Sequence, residues 1–178
     1  MVSRVTANAG HNRFVWDVQH QSGLGAPPGE YQARLTVGNT TLTQPFTVRI
    51  DPRIAADGVT VADLEEQFAH NLRMQAMVEE VDGLVQRVQA AQARLQGATG
   101  PDAELARRLE ELAPRLITPS IRYSKPGLQE HIRYLAGMTS RVDQKVGQDA
   151  IDRYQVLRAQ LDAITAEVDG LLRIGRGG

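Results

Sequence analysis

Four histidines, His11, His20, His70 and His131, are the side chains best suited to proton transfer or metal ligation near neutral pH. None lies in a His-x-x-x-His or Glu-x-x-His pair, the spacings that set two ligands on one helical face. Glu66 and His70 stand four apart on a helical stretch, where they read as a surface pair rather than an acid–base couple. Two carboxylate clusters, Glu79-Glu80-Asp82 and Glu110-Glu111, also fall on helical stretches. Neighbouring carboxylates on a helix point in different directions, so these read as solvated faces and not as a glycosidase pair flanking a sugar. Ser3, Ser22, Ser120, Ser124 and Ser140 lack the Gly-x-Ser-x-Gly setting of a nucleophile elbow. The Gly23-Leu24-Gly25 stretch has neither a following helix nor the spacing that cradles phosphate, and reads as a turn. With no cysteine, disulfides, thiol chemistry and Cys-ligated zinc are excluded. No catalytic, cofactor-binding or metal-binding residue is assigned, and no cofactor is expected.

The whole-chain balance points the same way. In 178 residues, Lys+Arg 20 against Asp+Glu 21 leaves a formal charge of -1, too little positive charge for a basic nucleic-acid footprint spread over the surface. Arg107, Arg108, Arg115, Arg122, Lys125, Arg133 and Arg141 concentrate positive charge in the middle of the chain, where they read as a solvated face balanced by nearby Glu. Aromatics make up only 4%, and Trp16 is the sole tryptophan, which argues against a stacking platform for bases. No apolar run approaches the roughly 20 residues that span a bilayer, and no signal-peptide core follows Met1. Neither a membrane nor a nucleic-acid partner is expected.

Two kinds of element must position whatever the chain does. The first 50 residues alternate as strands do. Residues 13–19 place Phe14, Trp16 and Val18 on one face, with Val15 the exception. A loop rich in Gly and Pro, residues 22–29, separates this from a second strand whose face carries Tyr31, Ala33, Leu35 and Val37. Gly38-Asn39 is a two-residue hairpin signal leading into a third strand, with Leu42, Phe46, Val48 and Ile50 inward. Pro52, lacking an N–H, stops the pairing.

From Thr60 the period becomes helical. Thr60 and Asp63 form a capping pair, and apolar residues then recur at three and four until about Gln96, with Gly97 as the stop. At 1.5 Å per residue this helix is about 54 Å long. A second helix is expected over about 101–112, an irregular segment over Ala113–Lys125, a third helix over about 126–142 and a last over about 148–174. The last carries Ile151, Tyr154, Leu157, Leu161, Ile164, Val168 and Leu171, close to a heptad seam. The expected fold class is α+β: a short antiparallel β-meander followed by an antiparallel helical bundle. Its expected parts are a β module over 1–52, a linker over 53–60, a bundle over 61–174 and a flexible tail over 175–178.

The strand segments also carry a pattern. Asn12-Arg13-Phe14-Val15-Trp16-Asp17, then Pro27-Pro28-Gly29-Glu30-Tyr31-Gln32-Ala33-Arg34-Leu35, then Thr43-Gln44-Pro45-Phe46-Thr47-Val48, resembles an immunoglobulin-like module of the kind seen in the flagellar hook-capping protein. Over nearly the whole chain, these motifs followed by Asp51-Pro52-Arg53, a long helix, Tyr123-Ser124-Lys125-Pro126-Gly127-Leu128-Gln129 and Tyr134-Leu135-Ala136-Gly137-Met138-Thr139 resemble a larger family. It is the C-terminal region of large bacterial glycosyl hydrolases with sortilin-type, bacterial-neuraminidase-repeat (BNR) propellers.

The resemblance implies a partial immunoglobulin-like sandwich and, through its relatives, an exported or periplasmic setting. It does not imply activity, because the propeller expected to carry hydrolysis and the first strands of the sandwich are absent from this sequence. The expectation is therefore a non-catalytic accessory or assembly region, a truncated or split product of a propeller protein. It would bind protein, either a propeller or a second copy, through Phe14, Trp16, Tyr31, Leu35, Phe46 and Val48, whose inward face lacks a second sheet. The competing expectations are a glycosidase fragment with residual activity, and an adaptor that binds partners through its long helices.

Overall fold

The structure is a computed structural model that describes residues 5–174. Two strands are followed by five helices: β1 (Gly29–Val37), β2 (Thr40–Val48), α1 (Pro52–Ala56), α2 (Val61–Arg94), α3 (Pro101–Leu116), α4 (Leu128–Ser140) and α5 (Gln148–Ile174). The class is α+β. The strands pair antiparallel from Gly29↔Val48 to Val37↔Thr40, so Gly38 and Asn39 alone make the turn. Of the two, only Gly38 takes a positive φ, 57°, a value that costs a residue without Cβ nothing.

The β part is a two-stranded hairpin among the described residues, not a three-stranded meander. Residues 13–19 do not join it. Val18 sits at φ 59°, in the left-handed region where a β-branched residue is rarely found, and the backbone folds back on itself there. Ala26 N–H donates to the Val18 carbonyl at 2.8 Å, and His20 N–H to that of Leu24 at 2.8 Å. A single bridge, Gln19↔Gly25, is all the pairing that results. The alternation in 13–19 instead serves Trp16, whose indole N–H donates to the Gln19 carbonyl at 2.9 Å.

The segment expected to be a linker holds all of α1 but its first residue, Pro52. Asp51 caps it, its carboxylate accepting from the Arg53 N–H at 2.9 Å, and Pro52 opens its first turn. At α2 the expected cap forms in full: Asp63 N–H donates to the Thr60 hydroxyl at 3.1 Å, and Thr60 N–H to the Asp63 carboxylate at 2.9 Å. α3 runs four residues beyond its expected end, through Pro114, and ends on fully buried Leu116, whose packing outweighs the backbone hydrogen bond that Pro114 cannot make. α4 is two residues shorter at each end than expected, and α5 spans the expected residues. The tail at 175–178 lies outside the described residues.

The chain divides into two compact units, with the division inside α2. The first comprises residues up to Leu72 and Val142–Val146. Here Gln67, buried on α2, donates to the Val142 carbonyl at 2.7 Å and accepts from Gln144 N–H at 3.3 Å. The second comprises Arg73–Arg141 and the residues from Gly147 on. Its core is one apolar cluster drawn from α2, α3, α4 and α5, with Val81, Val88, Leu109, Ile132, Leu161 and Val168 fully buried. Ion pairs between helices surround it: Arg158 with Glu80 at 2.5 Å, Arg133 with Asp82 at 2.8 Å and Arg115 with Glu167 at 2.7 Å.

Candidate functional site

Residues directly opposite each other in an antiparallel pair share a face. The register Tyr31↔Phe46, Ala33↔Gln44, Leu35↔Leu42 and Val37↔Thr40 therefore gathers the apolar positions of both strands on one side of the hairpin. The other side is polar. Thr47 donates to the Glu30 carboxylate at 2.6 Å, and the Thr36 and Thr41 hydroxyls lie 3.1 Å apart.

The apolar side faces solvent along most of its length. Leu35 is 47% exposed, Leu42 66% and Val37 68%. At the end away from the turn, three aromatic rings close over it. Trp16 lies 5.5 Å from Tyr31 and 5.8 Å from Phe46, centroid to centroid, the latter edge to face. The Tyr31 hydroxyl donates to the Pro27 carbonyl at 2.6 Å. Burial, with a smaller contribution from the Glu65 charge, raises the pKa of that hydroxyl, so it remains a neutral donor near pH 7.

Of the six residues expected to dock, Trp16, Tyr31 and Phe46 form this cluster, Leu35 continues the same face, and half-buried Val48 ends it opposite Gly29. Phe14 is not brought in: it is 54% exposed and has no ring partner among the described residues. Val37 and Leu42, outside the expected six, are the most exposed apolar members of the face. Their signal was present in the alternation on either side of Gly38-Asn39.

The residues weighed for chemistry are dispersed. His70 is buried on α2 at 1% exposure, whereas Glu66, four residues before it, is exposed. His20 packs edge to face on Phe68 at 5.1 Å, with its Nδ1 2.9 Å from the Ser22 hydroxyl. Glu80 and Asp82 of the acidic cluster are held in the ion pairs already described, and Arg107 bonds both Glu104 and Glu111 on its own helix. Among the described residues no three His, Asp or Glu side chains converge as metal ligands. An open cleft of about 650 Å³ is lined by Arg87, Arg94, Asp169 and Arg173 of α2 and α5. Its Arg87 is already paired with Asp169. Comparison with protein-family models, curated proteins and solved structures finds no match to this chain.

Proposed function

We propose that this chain is a non-catalytic accessory module that assembles with another protein through the apolar face of the β1–β2 hairpin. The sequence resemblance makes a BNR-type propeller the partner of choice. One observation carries the reading: Leu35, Val37 and Leu42 stand side by side, exposed, on a regular hairpin whose opposite face is polar. Contiguous apolar surface on a folded chain marks an interaction site more often than chance, whereas single exposed apolar residues mean little. The neighbouring aromatic cluster supplies rigid rings of the kind that anchor interfaces.

Trp16, the only tryptophan, packs against this face and reports on it directly. Titrating the chain with a purified sortilin-type propeller should shift Trp16 emission to the blue and saturate. A Leu35→Ser/Leu42→Ser variant should lose the response while keeping its far-ultraviolet circular dichroism. Turnover of aryl glycosides by the purified chain, abolished by removing one carboxylate, would contradict the non-catalytic part of the proposal.

A further inference from the structure

We infer that a second copy of this chain adds to the hairpin along the free edge of β1, antiparallel, with Gln32 on the twofold axis and Glu30 facing Arg34 of the second copy. This rests on the reading of the hairpin as a docking element and states which edge is used, by what and in which register.

The edge follows from the turn. A two-residue loop closes on a hydrogen-bonded pair, here Val37↔Thr40, and bonded and non-bonded pairs then alternate along the ladder. Tyr31, Ala33, Leu35 and Val37 thus point their N–H and C=O groups toward β2, while Glu30, Gln32, Arg34 and Thr36 point theirs away. Two independent observations agree. Pro45, with no N–H, falls opposite Gln32 in a non-bonded pair. The side-chain bonds Thr36–Thr41 and Thr47–Glu30 likewise fall in non-bonded pairs, where opposing side chains approach most closely.

The two edges are therefore unequal. On β2 the outward positions are Thr41, Thr43, Pro45 and Thr47, and Pro45 interrupts the row of donors as edge prolines do. On β1 all four outward residues keep their N–H, all four are exposed, and none makes a backbone bond outside the hairpin among the described residues. An incoming strand finds an unbroken template only at β1.

Charge selects the occupant and the register. Pairing β1 with itself about Gln32 sets Glu30 opposite Arg34 twice, and places the Tyr31 ring beside the small Ala33 on the apolar face. Pairing about Ala33 instead sets Glu30 opposite Thr36 and Gln32 opposite Arg34, with no ion pair. Opposite charges directly across a sheet stabilise it and like charges oppose pairing. The product is a four-stranded sheet, β2–β1–β1–β2, whose apolar faces lie on one side, doubling the platform available to a partner.

Sedimentation of the full chain from about 1 μM to about 1 mM covers the affinities such an edge contact reaches. A monomer–dimer equilibrium is expected. Glu30→Arg and Arg34→Glu should each weaken it about tenfold, as two exposed ion pairs replaced by repulsions would. The double variant Glu30→Arg/Arg34→Glu should restore it to within about threefold. Gln32→Pro should abolish dimerisation and Thr43→Pro should not, with Trp16 emission confirming an intact hairpin in each. The inference is overturned if the chain stays monomeric throughout, if the double variant is as weak as the single ones, or if Thr43→Pro is the disruptive proline. It is also overturned if dimerisation resists the edge variants but yields to Leu35→Ser/Leu42→Ser. The propeller titration reads the face and not the edge, so either result can fail without the other.

Discussion

The ring of Tyr31 is stacked on that of Phe46 across the β1–β2 hairpin, with centroids 5.8 Å apart and planes 26° from parallel. Trp16 leans on both rings, so a residue outside the sheet is tied to one pair within it. A two-stranded hairpin is marginal alone in water, and this cluster supplies much of what a third strand would.

Phe46→Ala removes the stacked partner of Tyr31 and the edge-to-face partner of Trp16. Aromatic pairs contribute about 0.5–1.5 kcal/mol each beyond burial, so the transition followed by Trp16 emission should lose about 1–3 kcal/mol. Emission in the native state should shift to the red. The helical circular dichroism signal should be unchanged, because the apolar core of the second unit is built from α2 to α5 alone.

Two glycines should respond with opposite signs. A Cβ on Gly127 would lie 2.7 Å from the backbone of Leu116 and Ile117, atoms that cannot swing aside. Gly127→Ala should therefore lower stability by about 1–3 kcal/mol. Gly83 sits within α2, where a Cβ would meet nothing within 4 Å. Gly83→Ala should raise stability by about 0.5–1 kcal/mol. Thermal melts of the two variants against the parent chain decide both.

Core and face leucines should also separate. Leu161 is fully buried in the bundle, and Leu161→Ala should cost about 2–5 kcal/mol in chemical denaturation. Leu42 is 66% exposed, and Leu42→Ala should stay within about 0.5 kcal/mol of the parent. A large loss at Leu42 would mean that the face is covered within the chain itself.

The fold was legible where a local rule and a packing need agree. Gly38-Asn39 set the hairpin register because a two-residue turn leaves no freedom, and the series from Ile151 to Leu171 located α5 because its apolar seam is buried. The strand expected over 13–19 failed because alternation cannot tell a strand from a loop that lays Trp16 on a neighbouring hairpin and leaves Phe14 exposed. Pro114 misled in the other direction: the helix continues past it to bury Leu116, despite the hydrogen bond lost at the proline. The alternation put Leu35, Val37 and Leu42 on one face, but how much of that face the chain itself covers depends on residues distant in sequence, which a local pattern does not encode.

Acid should loosen the bundle through its interhelical pairs. Hydrogen bonding from Arg158 is the largest effect on Glu80 and lowers its pKa from the ordinary 4.5. Burial raises that of Asp82, but hydrogen bonds from Arg133 and Gln129 and the Arg133 charge outweigh it, leaving it below 3.8. A carboxyl depressed in the folded state stabilises fully above its unfolded pKa, and that contribution is lost as pH falls through the folded value. Stability should thus hold from neutral pH down to about 4.5 and decline below it. A Glu80→Gln/Asp82→Asn variant should start lower at pH 7 and decline less steeply; equal slopes in denaturant titrations would rule the pairs out.

Amide hydrogen exchange, recorded on the chain alone and mixed with a purified sortilin-type propeller, tests the central claim most directly. Protection gained in residues 29–48 and around Trp16, with the outward surfaces of α3, α4 and α5 unchanged, is the result predicted. Protection confined to the helices, or none at saturating propeller, would contradict the assignment of the hairpin as the docking surface.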